Sequence, residues 1–100
     1  MTDIRKRPPT HPGVLLREVV LPAMRVSVAQ AAREMGVSRQ QIYKILAADR
    51  AVTAEMATRL GKYCGNGPEL WLNMQSAFDL WHAQQALSDA LDAIPTRATG

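Results

Sequence analysis

Several fold classes and chemistries are excluded by what this chain has little of. There is one cysteine, Cys64, so neither a disulfide framework nor a cysteine-based metal cluster can form within the chain. A lone thiol of this kind reads as a small buried apolar residue. Aromatics make up only 5% of the residues and no β-branched stretch alternates with polar positions, which argues against a sheet. No apolar run approaches the roughly 20 residues that span a bilayer. The basic start MTDIRKRPPT has no apolar segment behind it, so it is not a secretory signal, and the expected location is the cytoplasm. His11 and His82 lie far apart, with no cysteine or carboxylate at metal-ligand spacing. No nucleophile–base pair, glycine-rich phosphate loop or paired-carboxylate arrangement is present either. The chain is therefore not read as an enzyme, and no cofactor or metal is expected.

What remains fits one helical domain. One hundred residues, 47% of them hydrophobic, suffice for a single core without covalent staples. Charge is unevenly divided. Residues 1–50 hold nine Lys/Arg against four Asp/Glu, whereas residues 51–100 hold three against five. Between 68 and 94 there is no Lys or Arg at all, but Glu69, Asp79, Asp89 and Asp92 are present. A basic front half points to a polyanion as partner, with a different task for the back half.

The expected organisation is a flexible basic arm over 1–10, one domain over 11–94 and a tail over 95–100. Arg5, Lys6 and Arg7 read as solvated arm charges. His11-Pro12-Gly13 forms a turn, with His11 as a turn or cap residue, and leads into a helix over 14–20 that Pro22 stops. Ser27 and Ser38 each open a helix, and each is followed three residues later by glutamine (Gln30, Gln41), the capping-box spacing. Val28, Ala31, Ala32 and Met35 form one apolar face, and Gly36 ends that helix in the left-handed region. Ile42, Ile45 and Leu46 form the buried stripe of the next helix. Thr53 caps a fourth, with Glu55 in its first turn and Met56, Ala57, Leu60 and Cys64 inward.

Pro68 suits the first position of a fifth helix. Unbroken over 68–94, that helix would run about 40 Å at 1.5 Å per residue, more than so small a core can cover. It carries two apolar stripes. Leu70, Trp71, Met74, Ala77, Phe78 and Trp81 form the one that packs inward. Leu72, Leu80, Ala83, Leu87, Leu91 and Ile94 form another, of which Leu72, Leu80, Leu87 and Leu91 are the candidate homodimer interface. His82 reads as a surface residue.

The segment 27–46, SVAQAAREMGVSRQQIYKIL, is the reading unit. A helix-turn-helix requires a small residue where its helices cross, a glycine in the turn and apolar pins on the second helix. Ala32, Gly36, and Val37 with Ile42 and Ile45 meet those demands. The outward face of the second helix then carries Arg39, Gln40, Tyr43 and Lys44. Arginine forks onto guanine and glutamine onto adenine in the major groove, while lysine and a helix N-terminus suit phosphate. The candidate DNA-binding residues are Ser38, Arg39, Gln40, Gln41, Tyr43, Lys44 and Arg50, with Arg39 and Gln40 as base readers. Gln41 has a capping role in competition with base contact.

HPG ahead of an amphipathic helix, the reading unit, then RAVTAEMATRLGKY and GPELWLNMQSAFDLW together resemble the HigA antitoxins of the phage-repressor-like class. The resemblance covers about residues 11–81, and the PELWLNMQSAFDLW block is its most specific part. It implies a five-helix, all-α, dimeric protein with an extended C-terminal helix that contributes to dimerisation. It implies as partners a palindromic operator DNA and a HigB-type toxin, an mRNA-cleaving ribonuclease of the RelE type, with repression of the operon encoding both. For the toxin's docking surface the choice is the N-terminal segment and first helix. Three positions depart from the family pattern. Val28 stands where a phosphate-contacting glutamine is usual, Ala47-Ala48-Asp49 replaces Asn-Gly and a basic residue, and Val14 replaces glutamate. The first two remove phosphate contacts, so the expectation is binding that is weaker than typical or that relies more on Arg39, Lys44, Arg50 and the arm. Two rivals share the fold: a free-standing regulator without a toxin, and an interaction module whose DNA face has decayed.

Overall fold

In the computed structural model, residues 7–97 are described and every regular element among them is helical. Helix α1 covers 12–24 in three contiguous parts: Pro12–Leu15, a wide π turn Leu16–Val20, and Leu21–Met24. It is followed by α2 (Val28–Met35), α3 (Arg39–Leu46), α4 (Ala54–Cys64), α5 (Pro68–Ala86) and the short α6 (Ser88–Asp92). The all-α class is as expected. Residues 1–6 of the expected arm and 98–100 of the expected tail lie outside the described residues.

Two boundaries differ from the sequence reading, each for a physical reason. Pro22 does not stop α1. Proline lacks the N–H that a regular helix donates to the carbonyl four residues back, and its ring collides with that carbonyl. The π turn removes the conflict: Leu21 N–H bonds the Leu16 carbonyl five residues back, and Pro22 falls in the first turn of the following segment, where no N–H is needed. The C-terminal helix does not run unbroken over 68–94. It breaks at Leu87 (φ −103°, ψ 10°) before α6. Every residue from 82 to 97 is exposed, so no packing carries the helix across Ser88 and Asp89, which are weak helix formers.

The core lies where α1, α3, α4 and α5 converge behind α2. Leu16, Ile42, Ile45, Leu60 and Trp71 are fully buried, and each such side chain contributes about 1.5–3 kcal/mol by leaving water. Trp71 anchors α5 against α4, and its indole N–H donates to Asn66 Oδ1 at 2.9 Å. The inner face of α5 is nearly the expected one, with two exceptions. Leu70 is 40% exposed at the edge of the stripe, and Gln75 is buried within it. Cys64 is half-buried, and its thiol is pushed up by that burial. None of the described helices is long and apolar enough to cross a membrane.

His11 occupies the cap position the sequence suggested. Its Nδ1 accepts from Gly13 N–H at 2.9 Å, so the neutral ring keeps its proton on the other nitrogen. Phe78 of α5 lies edge-on at a centroid distance of 4.9 Å. Gly13 is required by proximity: a Cβ there would stand 1.8 Å from the Ile45 carbonyl oxygen. The start of α1 is thus pressed against the end of α3.

Burial lowers the pKa of His11 below its ordinary 6.5, outweighing the opposite pull of Asp79 and of a hydrogen bond to the Arg50 backbone. The unfolded chain therefore takes up a proton near pH 6.5 that the folded chain still refuses. The contribution of His11 to stability is complete above that pH and is lost as pH falls toward the lower folded value. Urea midpoints measured between pH 7.5 and 5.5 should fall for the wild type and fall less for His11→Asn, which retains a capping acceptor. Parallel declines would remove His11 as the cause.

Candidate nucleic-acid interface

The reading unit is held at all four helix ends. Ser27 Oγ accepts from Gln30 N–H at 3.0 Å, but the Gln30 side chain turns to Glu34 (3.3 Å), so the first expected capping box is only half formed. The second is complete: Ser38 Oγ accepts from Gln41 N–H at 3.1 Å and Gln41 Oε1 accepts from Ser38 N–H at 3.3 Å. That commits Gln41 to capping. At the end of α2, Gly36 (φ 74°) takes the left-handed conformation, with Val37 N–H on the Ala32 carbonyl and Gly36 N–H on that of Arg33.

The end of α3 repeats this arrangement with a costlier residue. Ala48 N–H bonds the Ile45 carbonyl and Asp49 N–H the Lys44 carbonyl, the paired bonds of a Schellman motif. The residue such a motif places in the left-handed region is here Ala48, at φ 60°. A Cβ in that conformation costs about 1 kcal/mol.

Two arginines that the sequence reading did not single out complete the terminal carbonyls. Arg59 Nη1 of α4 donates to the Met35 carbonyl at 2.7 Å, closing α2. Arg17 Nη1 of α1 donates to the Leu46 carbonyl at 2.9 Å, closing α3. Cations at helix C-termini are favoured by the dipole as well as by the hydrogen bond. Neither is marked in the sequence, because each reaches another helix 24 or 29 residues away.

Ile42, Ile45 and Leu46 are buried as the pins of α3, and Ala32 is buried at the crossing. Arg39, Gln40, Tyr43 and Lys44 are exposed, and their spacing of one, four and five places them on one side of the helix. Ser38 and Arg50 are exposed at the two ends of α3, whereas Gln41 is half-buried. Among the described residues the ion pairs are Arg17–Glu18 and Arg59–Glu55, so Arg39, Lys44 and Arg50 pair with none of the described carboxylates. Glu34 on α2 is occupied elsewhere. It accepts from the Tyr63 hydroxyl, which pushes the phenol up to about 12 and holds the carboxylate below its ordinary range. Val28, at the first position of α2, packs half-buried against the core. A rigid helix thus presents two cations, an amide and a phenol outward, with a third cation just past its end. That set suits a base edge flanked by phosphates.

The sequence matches the helix-turn-helix family HTH_3 over residues 16–72. It is 42% identical over 78 residues to virulence-associated protein I of Dichelobacter nodosus, an alignment covering 78% of this chain and 72% of that protein. It is 37% identical over 76 residues to antitoxin HigA-1 of Vibrio cholerae, covering 76% and 71%. The solved structure of antitoxin GraA in complex with its operator superposes with a TM-score of 0.86 at 37% identity, covering 100% of both chains.

The strain at Ala48 is testable without any ligand. Ala48→Gly should raise stability by up to about 1 kcal/mol, the left-handed penalty less the entropy glycine returns to the unfolded chain. In a domain of this size that is a rise in Tm of a few °C, roughly 4–8 °C per kcal/mol. A lower Tm would show that Ala48 carries no strain.

Proposed function

The chain belongs to the helix-turn-helix family and to its HigA-like antitoxins, and on that premise we propose that it is an antitoxin that represses its own operon by operator binding and neutralises a HigB-type toxin. The observation that carries the DNA half is the capped α3 with Arg39, Gln40 and Lys44 exposed and unopposed. As a dimer, two copies of α3 enter successive major grooves about 34 Å apart on a palindrome. Arg39 and Gln40, in the first turn, read base edges, while Ser38, Lys44 and Arg50 hold phosphates and Tyr43 lies along the sugar–phosphate backbone. Gln41 acts through its cap. The dimer forms through Leu72, Leu80, Leu87 and Leu91, which are 38–60% exposed in the single chain. The action is binding throughout, and the chain needs no cofactor.

Arg39→Ala should weaken binding to the operator upstream of its own gene by about 1–3 kcal/mol and relax preference at one base pair per half-site. A gel shift in which the variant and the wild type bind alike would refute the base-reading role.

The toxin half rests on the kinship with HigA-type antitoxins, and α1 with its preceding segment is the proposed docking surface. Co-expression with the short basic protein encoded beside this gene should yield a stable complex and relieve that protein's toxicity. If no such neighbour exists, or if it neither binds nor poisons the cell, the chain is a free-standing regulator of the same fold.

A further inference from the structure

The backbone that leaves α3 is bonded to that helix only as far as Arg50, whose N–H reaches the Lys44 carbonyl at 3.2 Å. The next two hold points come from outside the reading unit. The ring of His11, at the start of α1, lies close enough to the Arg50 backbone for that backbone to raise its pKa. The Gln75 Oε1 of α5 accepts from Val52 N–H at 2.8 Å. Gln75 is only 4% exposed and lies on the face of α5 that otherwise buries Trp71 and half-buries Phe78. A buried primary amide is costly unless its groups are satisfied, and here they are, since its Nε2 donates to Asp79 Oδ1 at 2.9 Å. Asp79 in turn acts on His11 electrostatically. Val52, Gln75 and Asp79 therefore form one hydrogen-bonded chain against the loop 47–52, with His11 and Arg50 beside it. Two of its members are on α5, which also carries the exposed Leu72 and Leu80.

We propose that Gln75 is a positioning residue for the DNA backbone clamp: it holds the loop 47–52, and with it Arg50, at the height where a phosphate lies, so that the seating of α5 governs phosphate engagement. The proposal deepens the operator-binding reading and rests on it for the DNA measurement. Gln75 touches no DNA. An apolar residue of the same size would fill the space equally well but would strand the buried Val52 N–H. The only compensation is a shift of the loop toward water or toward another acceptor, and either moves Arg50.

The test has two arms. In the free protein, Gln75→Met should shift the amide resonances of residues 48–52 and increase hydrogen exchange at Val52 while leaving Arg39–Leu46 in place. On operator DNA the same variant should reduce the slope of log K against log salt by about two per dimer, one phosphate per protomer, and weaken binding about 10- to 100-fold at 0.1 M salt. Its discrimination between operator and single-base variants should not change. Gln75→Glu keeps the acceptor for Val52 but sets two carboxylates together and should show part of the loss. Adding Asp79→Asn supplies a donor to that carboxylate and should restore the wild-type slope. A folded Gln75→Met with unmoved loop resonances overturns the proposal whatever happens on DNA. So does an unchanged salt slope, or a double variant no better than Gln75→Glu. If Gln75→Met fails to fold, the glutamate pair alone decides between these outcomes. Absence of wild-type binding would instead refute operator binding, and the free-protein arm would still judge the loop.

Discussion

The reading helix is placed by a close approach of two backbones. The Ile45 carbonyl stands so near Gly13 that a Cβ at that position would be 1.8 Å from its oxygen. Because the atom in the way belongs to the backbone of a packed helix, no rotamer change can make room. His11 fixes the turn by accepting from Gly13 N–H, and Pro12 pre-sets the first helical φ. From that contact the remaining placements follow. Leu16 comes to lie beside Ile42 and Ile45 in the core, and Arg17 reaches the Leu46 carbonyl. The HPG turn that leads into α1 is thus the seat on which the end of α3 rests.

Short helices of eight residues are marginal alone, and α2 and α3 are both that length. Their rigidity comes from closed ends. Serine caps begin both, Schellman bonds end both, and an arginine from a different helix closes each last turn. This division also sorts the cations by task. Arg17 and Arg59 are consumed by helix ends and by their glutamates, whereas Arg39, Lys44 and Arg50 are not. A surface with net positive charge would not by itself distinguish these groups. The carbonyls they reach do.

Features set by local rules were legible in the sequence, and those set by a distant partner were not. Ser38 with Gln41, Gly36 in its turn, Thr53 as a cap and the Ile42, Ile45, Leu46 stripe depend on residues within one or two turns, and each is found where spacing put it. Gln30 carries the same local signal as Gln41, yet its side chain turns to Glu34 because α2 offers an equally near partner one turn on. Pro22 ends no helix because a widened turn upstream absorbs it, and nothing in the local sequence marks that turn. Gln75 was missed for the opposite reason. A polar residue beside apolar ones on a helix reads as surface until the N–H it serves, 23 residues earlier, is known.

Helix α5 divides the molecule's two demands between its two faces. As far as Trp81 its inner side is covered by α1 and α4, and beyond that point every described residue is exposed. Among the described residues nothing covers Leu80, Leu87, Leu91 and Ile94, at 44–62% exposure. A stripe of that kind is what isologous pairing buries, since the same patch serves on both copies. The charge pattern keeps the two tasks apart: the segment 68–94 bears no Lys or Arg, so the cations of the basic helices stay free for a polyanion. On the proposed function, joining there would also steady α5, and with it Gln75 and Asp79, against the loop behind α3. On the proposed function, pairing would then do more than double the number of reading helices. It would hold in place the helix from which each copy's phosphate-facing loop is hung.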